Sequence, residues 1–347
     1  MSSLLLTPFA PMSNRIGSHR AAQGMIYADQ IRRLVDRDLE IETSEEMKDL
    51  SQYDKIYVYH GNDWGGTLNL FGGLKEYTAT DRFERLTHYK GIVYSLQIPF
   101  PDYAGMIKDR LDKATAKGDK VQDGWLSADY DNLRKIQTTS VVLDMKFFET
   151  TDNLVIGDSH AISLYRPGWN VNSVPFKTLH GALDLGLKSF CAPESSKYLV
   201  LDDLDIYFGN IDIRHHLLRQ PNPEEATRSL VAQYFEQANE LPVRQANIYE
   251  PLPINPDSRK VPQTGWYKGT PFFGTWEERN KIRDIFIEEA KAQTIKYGPK
   301  VQLKKWASYL QNEKGELDEK FMEVPQSVHL SRAAYPYWQI PVDLPPF

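Results

Sequence analysis

Apolar positions along the chain follow two rhythms that alternate. SLLLTPF (3–9), YDKIYVYHG (53–61), KGIVYSLQIPF (90–100) and TTSVVLDM (138–145) are short apolar runs of the kind that form buried strands. SHRAAQGMIYADQIRRLVD (18–36), between the first two, has the period of an amphipathic helix. Apolar strands separated by helical segments predict a parallel sheet covered on both faces, a Rossmann-like arrangement over residues 1–150. A fresh series begins at NLVIGDS (153–159) and continues with the strand SKYLVLDDLDIYFGNID (196–212) and the helix PEEATRSLVAQYFEQANE (223–240). The strand RQANIYEPLPI (244–254) and the long helix TWEERNKIRDIFIEEAKAQTIKYG (275–298) follow, and KVQLKKWASYL (300–310) closes this second sheet. The last stretch, GELDEKFMEVPQSVHLSRAAYPYW (315–338), reads as an acidic turn, a loop and a final helix. The break in pattern near residue 150 predicts two domains, 1–150 and 151–347.

Composition narrows the function classes. With 41% hydrophobic residues and 12% aromatics, the 347-residue chain can bury substantial cores. A net charge of −6 gives no general attraction to polyanions, so nucleic acid is not an expected partner. Cys191 is the one cysteine, which excludes an internal disulfide and a thiolate zinc cage and suits a reducing, cytoplasmic setting. The apolar start MSSLLLTPF has no basic leader, and no apolar run approaches about 18 residues, so neither a secretion signal nor a membrane span is expected.

The candidate chemistry centres on Ser159. A serine between a buried strand and a helix stands where free helix N–H groups and the helix dipole can stabilise an oxyanion. Asp158 or Ser159 could equally serve as the helix cap. The surrounding blocks bear on that choice. Gly157-Asp158-Ser159 after a strand, the loop glycine Gly181 in FKTLHGALDLG, Gly209-Asn210-Ile211-Asp212 at a strand end, and QSVHLS with His329 occur in the order of the signature blocks of the SGNH (GDSL-like) hydrolase and acyltransferase superfamily. The resemblance covers about residues 152–340.

The resemblance implies a flavodoxin-like three-layer domain with a mainly parallel sheet. It also implies Ser159 as nucleophile, His329 as general base, and the N–H groups of Ser159 and Gly181 as oxyanion donors. Two positions depart from the pattern: Gln326 stands where the acid that orients the base is expected, and Ile211 stands where the oxyanion-binding Asn is expected. Glu323 or Asp212 is then the candidate for the missing carboxylate, and Asn210 for the missing amide. The implied reaction is acyl transfer from an ester of a small molecule or carbohydrate to water or to another hydroxyl, with no cofactor.

Other residues are candidates for substrate contact. Asp158, His160 and His180 adjoin the signature blocks, and Arg214 and His215 follow the third, where a cation can hold an anionic group. Asp202, Asp203 and Asp205 with the nearby histidines alternate along a strand and point to opposite faces, so no metal site is expected. In the first half, Arg15 and His19 follow the first strand at the edge where parallel sheets bind ligands, as does the glycine-rich HGNDWGGTLNLFGG (60–73). Two consecutive Rossmann-like halves also describe GT-B glycosyltransferases, in which Ser159 would meet a nucleotide-sugar diphosphate. A non-catalytic protein on the same scaffold is a third reading.

Overall fold

The computed structural model describes residues 2–6, 19–34, 36–42, 48–58, 79–96, 100–118, 127, 130–136, 140–143, 153–174, 177–191, 201–259, 269, 271–323, 327–331 and 334–337. The chain divides into two compact units, one mainly of residues 1–16 and 23–148, the other mainly of 149–346. Each contains a five-stranded sheet whose pairings are all parallel.

The first sheet holds β1 (Ser3–Leu6), β2 (Leu39–Ile41), β3 (Lys55–Val58), β4 (Ile92–Leu96) and β5 (Ser140–Leu143) in the order β2-β1-β3-β4-β5. Helices α1 (His19–Leu34), α2 (Ala79–His88) and α3 (Phe100–Lys117) lie between strands in the chain. Leu4, Leu6, Ile56, Val58 and Val93 from the strands share a core with Leu86 of α2 and Ala104 of α3.

The second sheet holds β6 (Asn153–Gly157), β7 (Asn170–Ser173), β8 (Leu201–Tyr207), β9 (Val243–Tyr249) and β10 (Val301–Lys304) in the order β10-β9-β8-β6-β7. Counted from its own first strand this is 2-1-3-4-5, the same order as the first sheet. It is one of the two common orders of open α/β sheets, and its ligand crevice falls at the switch point between the first and third strands. Here that point lies at the carboxyl ends of β6 and β8.

Handedness explains how the second sheet is covered. The connections β7→β8, β8→β9 and β9→β10 all progress in one direction, so right-handed crossovers place their helices on one face. Those helices are α4 (Leu179–Leu185), α5 (Asn210–His215), α6 (Pro223–Glu240) and α7 (Trp276–Tyr297). Leu154, Ile156, Leu204, Ile206, Ala246 and Ile248 meet them in one core with Leu179, Val231, Phe235, Ile282 and Phe286. The ends of the two long helices are set locally: Asn222 caps α6 ahead of Pro223, and Thr275 with Glu278 forms a capping box on α7.

The connection β6→β7 runs the other way and is only a 3-10 helix, Ser159–Leu164. It lies toward the opposite face, where β8 and β9 place polar side chains: Asp205 is fully buried, paired with Arg166 at 2.8 Å and accepting from Asn247 and Tyr249. Burial pushes the Asp205 carboxyl up even so. No described helix is long and apolar enough to cross a membrane. The final helix expected over the end of the chain is not found among the described residues; Ser308–Leu310 and Glu319–Phe321 are short 3-10 turns, and two isolated antiparallel bridges pair Gln311 with Leu317 and Met322 with Leu330.

Candidate active site

Position 157 ends β6 against the backbone of β8. A Cβ there would lie 2.2 Å from Tyr207 O and 2.8 Å from Ala161 Cβ, so only glycine fits. The chain then turns, with the Asp158 N–H donating to Tyr207 O at 3.1 Å. Asp158 has extended backbone and is the cap of the 3-10 helix: its carboxylate accepts the His160 N–H at 2.7 Å. Ser159 is therefore the first residue inside the helix, not its cap. It alone of the six residues is not buried, and its N–H has no acceptor among the described residues.

The Ser159 hydroxyl lies 2.8 Å from Nε2 of His329. His329 sits on a short irregular turn closed by the Met322↔Leu330 bridge, in which the Glu323 N–H donates to His329 O at 3.0 Å and the Ser331 N–H to Phe321 O at 2.7 Å. This turn brings Glu323 Oε1 to 3.4 Å from His329 Nδ1. Ser327 joins the two: its hydroxyl donates to Glu323 Oε1 at 2.8 Å and accepts the His329 N–H at 3.1 Å. Asn255 secures the turn from below by donating to Ser327 O at 3.0 Å, and it accepts from Arg214 Nε at 3.2 Å. Serine, imidazole and carboxylate thus stand in the sequence that proton transfer away from a hydroxyl requires. Gln326 lies outside the described residues.

Several expected roles need correction. The Gly181 N–H donates to Thr178 Oγ1 at 3.0 Å, because Gly181 occupies the third position of α4 and Thr178 caps that helix. It is committed there and not presented to an oxyanion. The Asp212 carboxylate is bound to the same helix end, accepting the N–H groups of Leu179 at 2.6 Å and His180 at 3.2 Å. Burial pushes its pKa up, against the pull of those two N–H groups. Asp212 is an anchor between α5 and α4 rather than a partner of His329.

Asn210 is 1% exposed; its Oδ1 accepts the Leu252 N–H at 2.9 Å, while its Nδ2 has no hydrogen-bond partner among the described residues. Ile211 is buried beside it.

The proposed substrate contacts divide the same way. Asp158 and His160 are buried at 0% and 5% exposure. Arg214 is buried under Asn255 and the Asn210 carbonyl, and burial lowers its pKa to about 10. His215 packs edge-on to Phe272, and burial, followed by the charge of Arg214, lowers its pKa to about 3. A histidine in that state carries no charge with which to hold an anion near neutral pH. These four are framework. His180 is exposed, pairs with Asp184 at 3.1 Å, and lines a cavity of about 440 Å³ with Asp212, His216 and Gln233; neither Ser159 nor His329 borders it. Arg15 and residues 60–73 lie outside the described residues, and His19 is described only as the first residue of α1.

Sequence reasoning named Glu323 only as one of two options and missed Ser327 and Asn255 altogether. The signal available was local: a Ser two residues before the histidine and a Glu six before it. Only the bridge that folds the turn gives that spacing a meaning.

No family model matches the sequence, and no curated protein matches it. Among solved structures, "a putative platelet activating factor from Streptococcus pneumonia" is 17% identical, with 55% of this chain and 84% of that one covered and a TM-score of 0.39. Phospholipase A1 from Streptomyces albidoflavus NA297 is 10% identical, with 53% and 94% covered and a TM-score of 0.32. Neither likeness assigns a role to any residue of this chain.

Proposed function

We propose that the second unit is an SGNH-type, flavodoxin-like serine esterase or O-acyltransferase, and that the first unit, ending near residue 150, is a Rossmann-like accessory domain. The single observation that carries the reading is the 2.8 Å contact between Ser159 Oγ and His329 Nε2 across 170 positions of sequence, at the switch point of a parallel sheet. In this mechanism Ser159 Oγ attacks the acyl carbonyl carbon while His329 Nε2 takes the hydroxyl proton. The carbonyl π electrons move to oxygen, and that oxyanion is received by the Ser159 N–H. Collapse of the tetrahedral intermediate breaks the bond to the alcohol, which leaves with the proton held by His329. Water, or a hydroxyl of an acceptor, then attacks the acyl-enzyme by the same steps in reverse. Glu323 holds the His329 ring so that Nε2 faces the serine, and its charge stabilises the imidazolium that forms.

The test is turnover of p-nitrophenyl acetate together with labelling by a serine-directed fluorophosphonate. Labelling confined to Ser159 is expected, with Ser159→Ala and His329→Ala each lowering kcat by about 10³-fold or more. A folded wild-type protein that neither turns over nor labels, or a Ser159→Ala variant that labels as before, overturns the reading.

A further inference from the structure

His160 is the most constrained polar side chain near Ser159 that the mechanism leaves without a role. Its Nδ1 lies 2.8 Å from Asp158 Oδ1 and its Nε2 lies 3.1 Å from the carbonyl oxygen of Val328. A peptide carbonyl only accepts, so Nε2 must carry a proton. Asp158 Oδ1 also accepts the His160 backbone N–H at 2.7 Å, so one carboxyl oxygen meets both the backbone and the ring of His160.

The placement of this ring links two distant parts of the chain. Asp158 precedes Ser159, and Val328 precedes His329. One buried side chain therefore joins the residue before the nucleophile to the residue before the base, 170 positions apart. The ring centroids of His160 and His329 are 5.0 Å apart, with Tyr207 edge-on to His160 at 6.4 Å. The charged and titratable groups around it are thus Asp158, His329 with Glu323 behind it, the Tyr207 phenol, and Arg214 within electrostatic reach of Asp158.

We propose that His160 is a positioning residue: clasped between Asp158 and the Val328 carbonyl, it holds the His329 turn over Ser159. The proposal rests on the reading of Ser159 and His329 as the reacting pair.

Two measurements on the full chain test it. In two-bond ¹H–¹⁵N spectra at neutral pH, Nε2 of His160 is expected to report a bound proton, in the wild type and in His329→Ala alike; an unprotonated Nε2 overturns the proposal whatever the enzyme does. In His160→Ala, which removes the clasp, kcat is expected to fall about tenfold or more with KM within about twofold, and His160→Gln, whose amide can still donate to the Val328 carbonyl, to recover part of that loss. A wild-type kcat in His160→Ala, or an equal loss in both variants, overturns it. Absence of fluorophosphonate labelling in the wild type would instead remove the parent reading, and the spectra would still decide the protonation of His160.

Discussion

The carboxylate behind His329 comes from a residue that no helical or strand period could point to. Glu323 and His329 are six apart, and what makes them neighbours is the antiparallel bridge between Met322 and Leu330, reinforced by the Ser327 hydroxyl between them. Replacing Glu323 by Gln keeps the shape and removes the charge. It is expected to lower kcat by about 10²–10⁴-fold with little change in KM, since the charge matters when His329 becomes an imidazolium. A Glu323→Gln variant with wild-type kcat would show that His329 is oriented by something else. Ser159 and His329 were legible because each sits in a short local pattern, a strand end for one and a VHL for the other. Glu323, Ser327 and Asn255 were not, because their roles arise from a turn whose closure depends on long-range contacts, including that from Asn255 to Ser327 O.

At the scale of elements, α4 is a helix of seven residues, too short to persist without help at its ends. Thr178 satisfies its third N–H and the Asp212 carboxylate its first two, so α5 and α4 are joined through buried charge-assisted bonds. Asp212→Asn is expected to cost about 1–3 kcal/mol in denaturant unfolding while leaving fluorophosphonate labelling of Ser159 within a few-fold of wild type. Loss of labelling with unchanged stability would place Asp212 in the chemistry instead. The long strands and helices of the second unit were readable from apolar periodicity and caps. The three-residue β2, the four-residue β7 and α4 were not, because so few positions show no period; pairing and capping alone define them.

At the scale of the whole molecule, the same strand order recurs in both sheets, yet the second unit surrounds its switch point with buried ionisable groups that the alternation of apolar runs gave no means of foreseeing. His215 shows how these couple the unit to pH. Its ordinary pKa is 6.5 and burial, with Arg214 beside it, lowers it to about 3 in the folded chain. Between those values the unfolded chain binds a proton that the folded chain refuses, so stability rises with pH there: the contribution is complete above 6.5 and is lost as pH falls toward 3. The raised carboxyls of Asp205 and Asp212 act in the opposite sense, since the folded chain holds their protons longer and that contribution fades as pH rises. A difference measurement separates them. The denaturant midpoint of the wild type minus that of His215→Gln, followed against pH, cancels both aspartates and is expected to decline steadily as the solution is acidified below about 6.5 while staying level above it. A difference that stays constant down to about 3 would mean that His215 takes up its proton without unfolding, through an opening of the packing around Phe272.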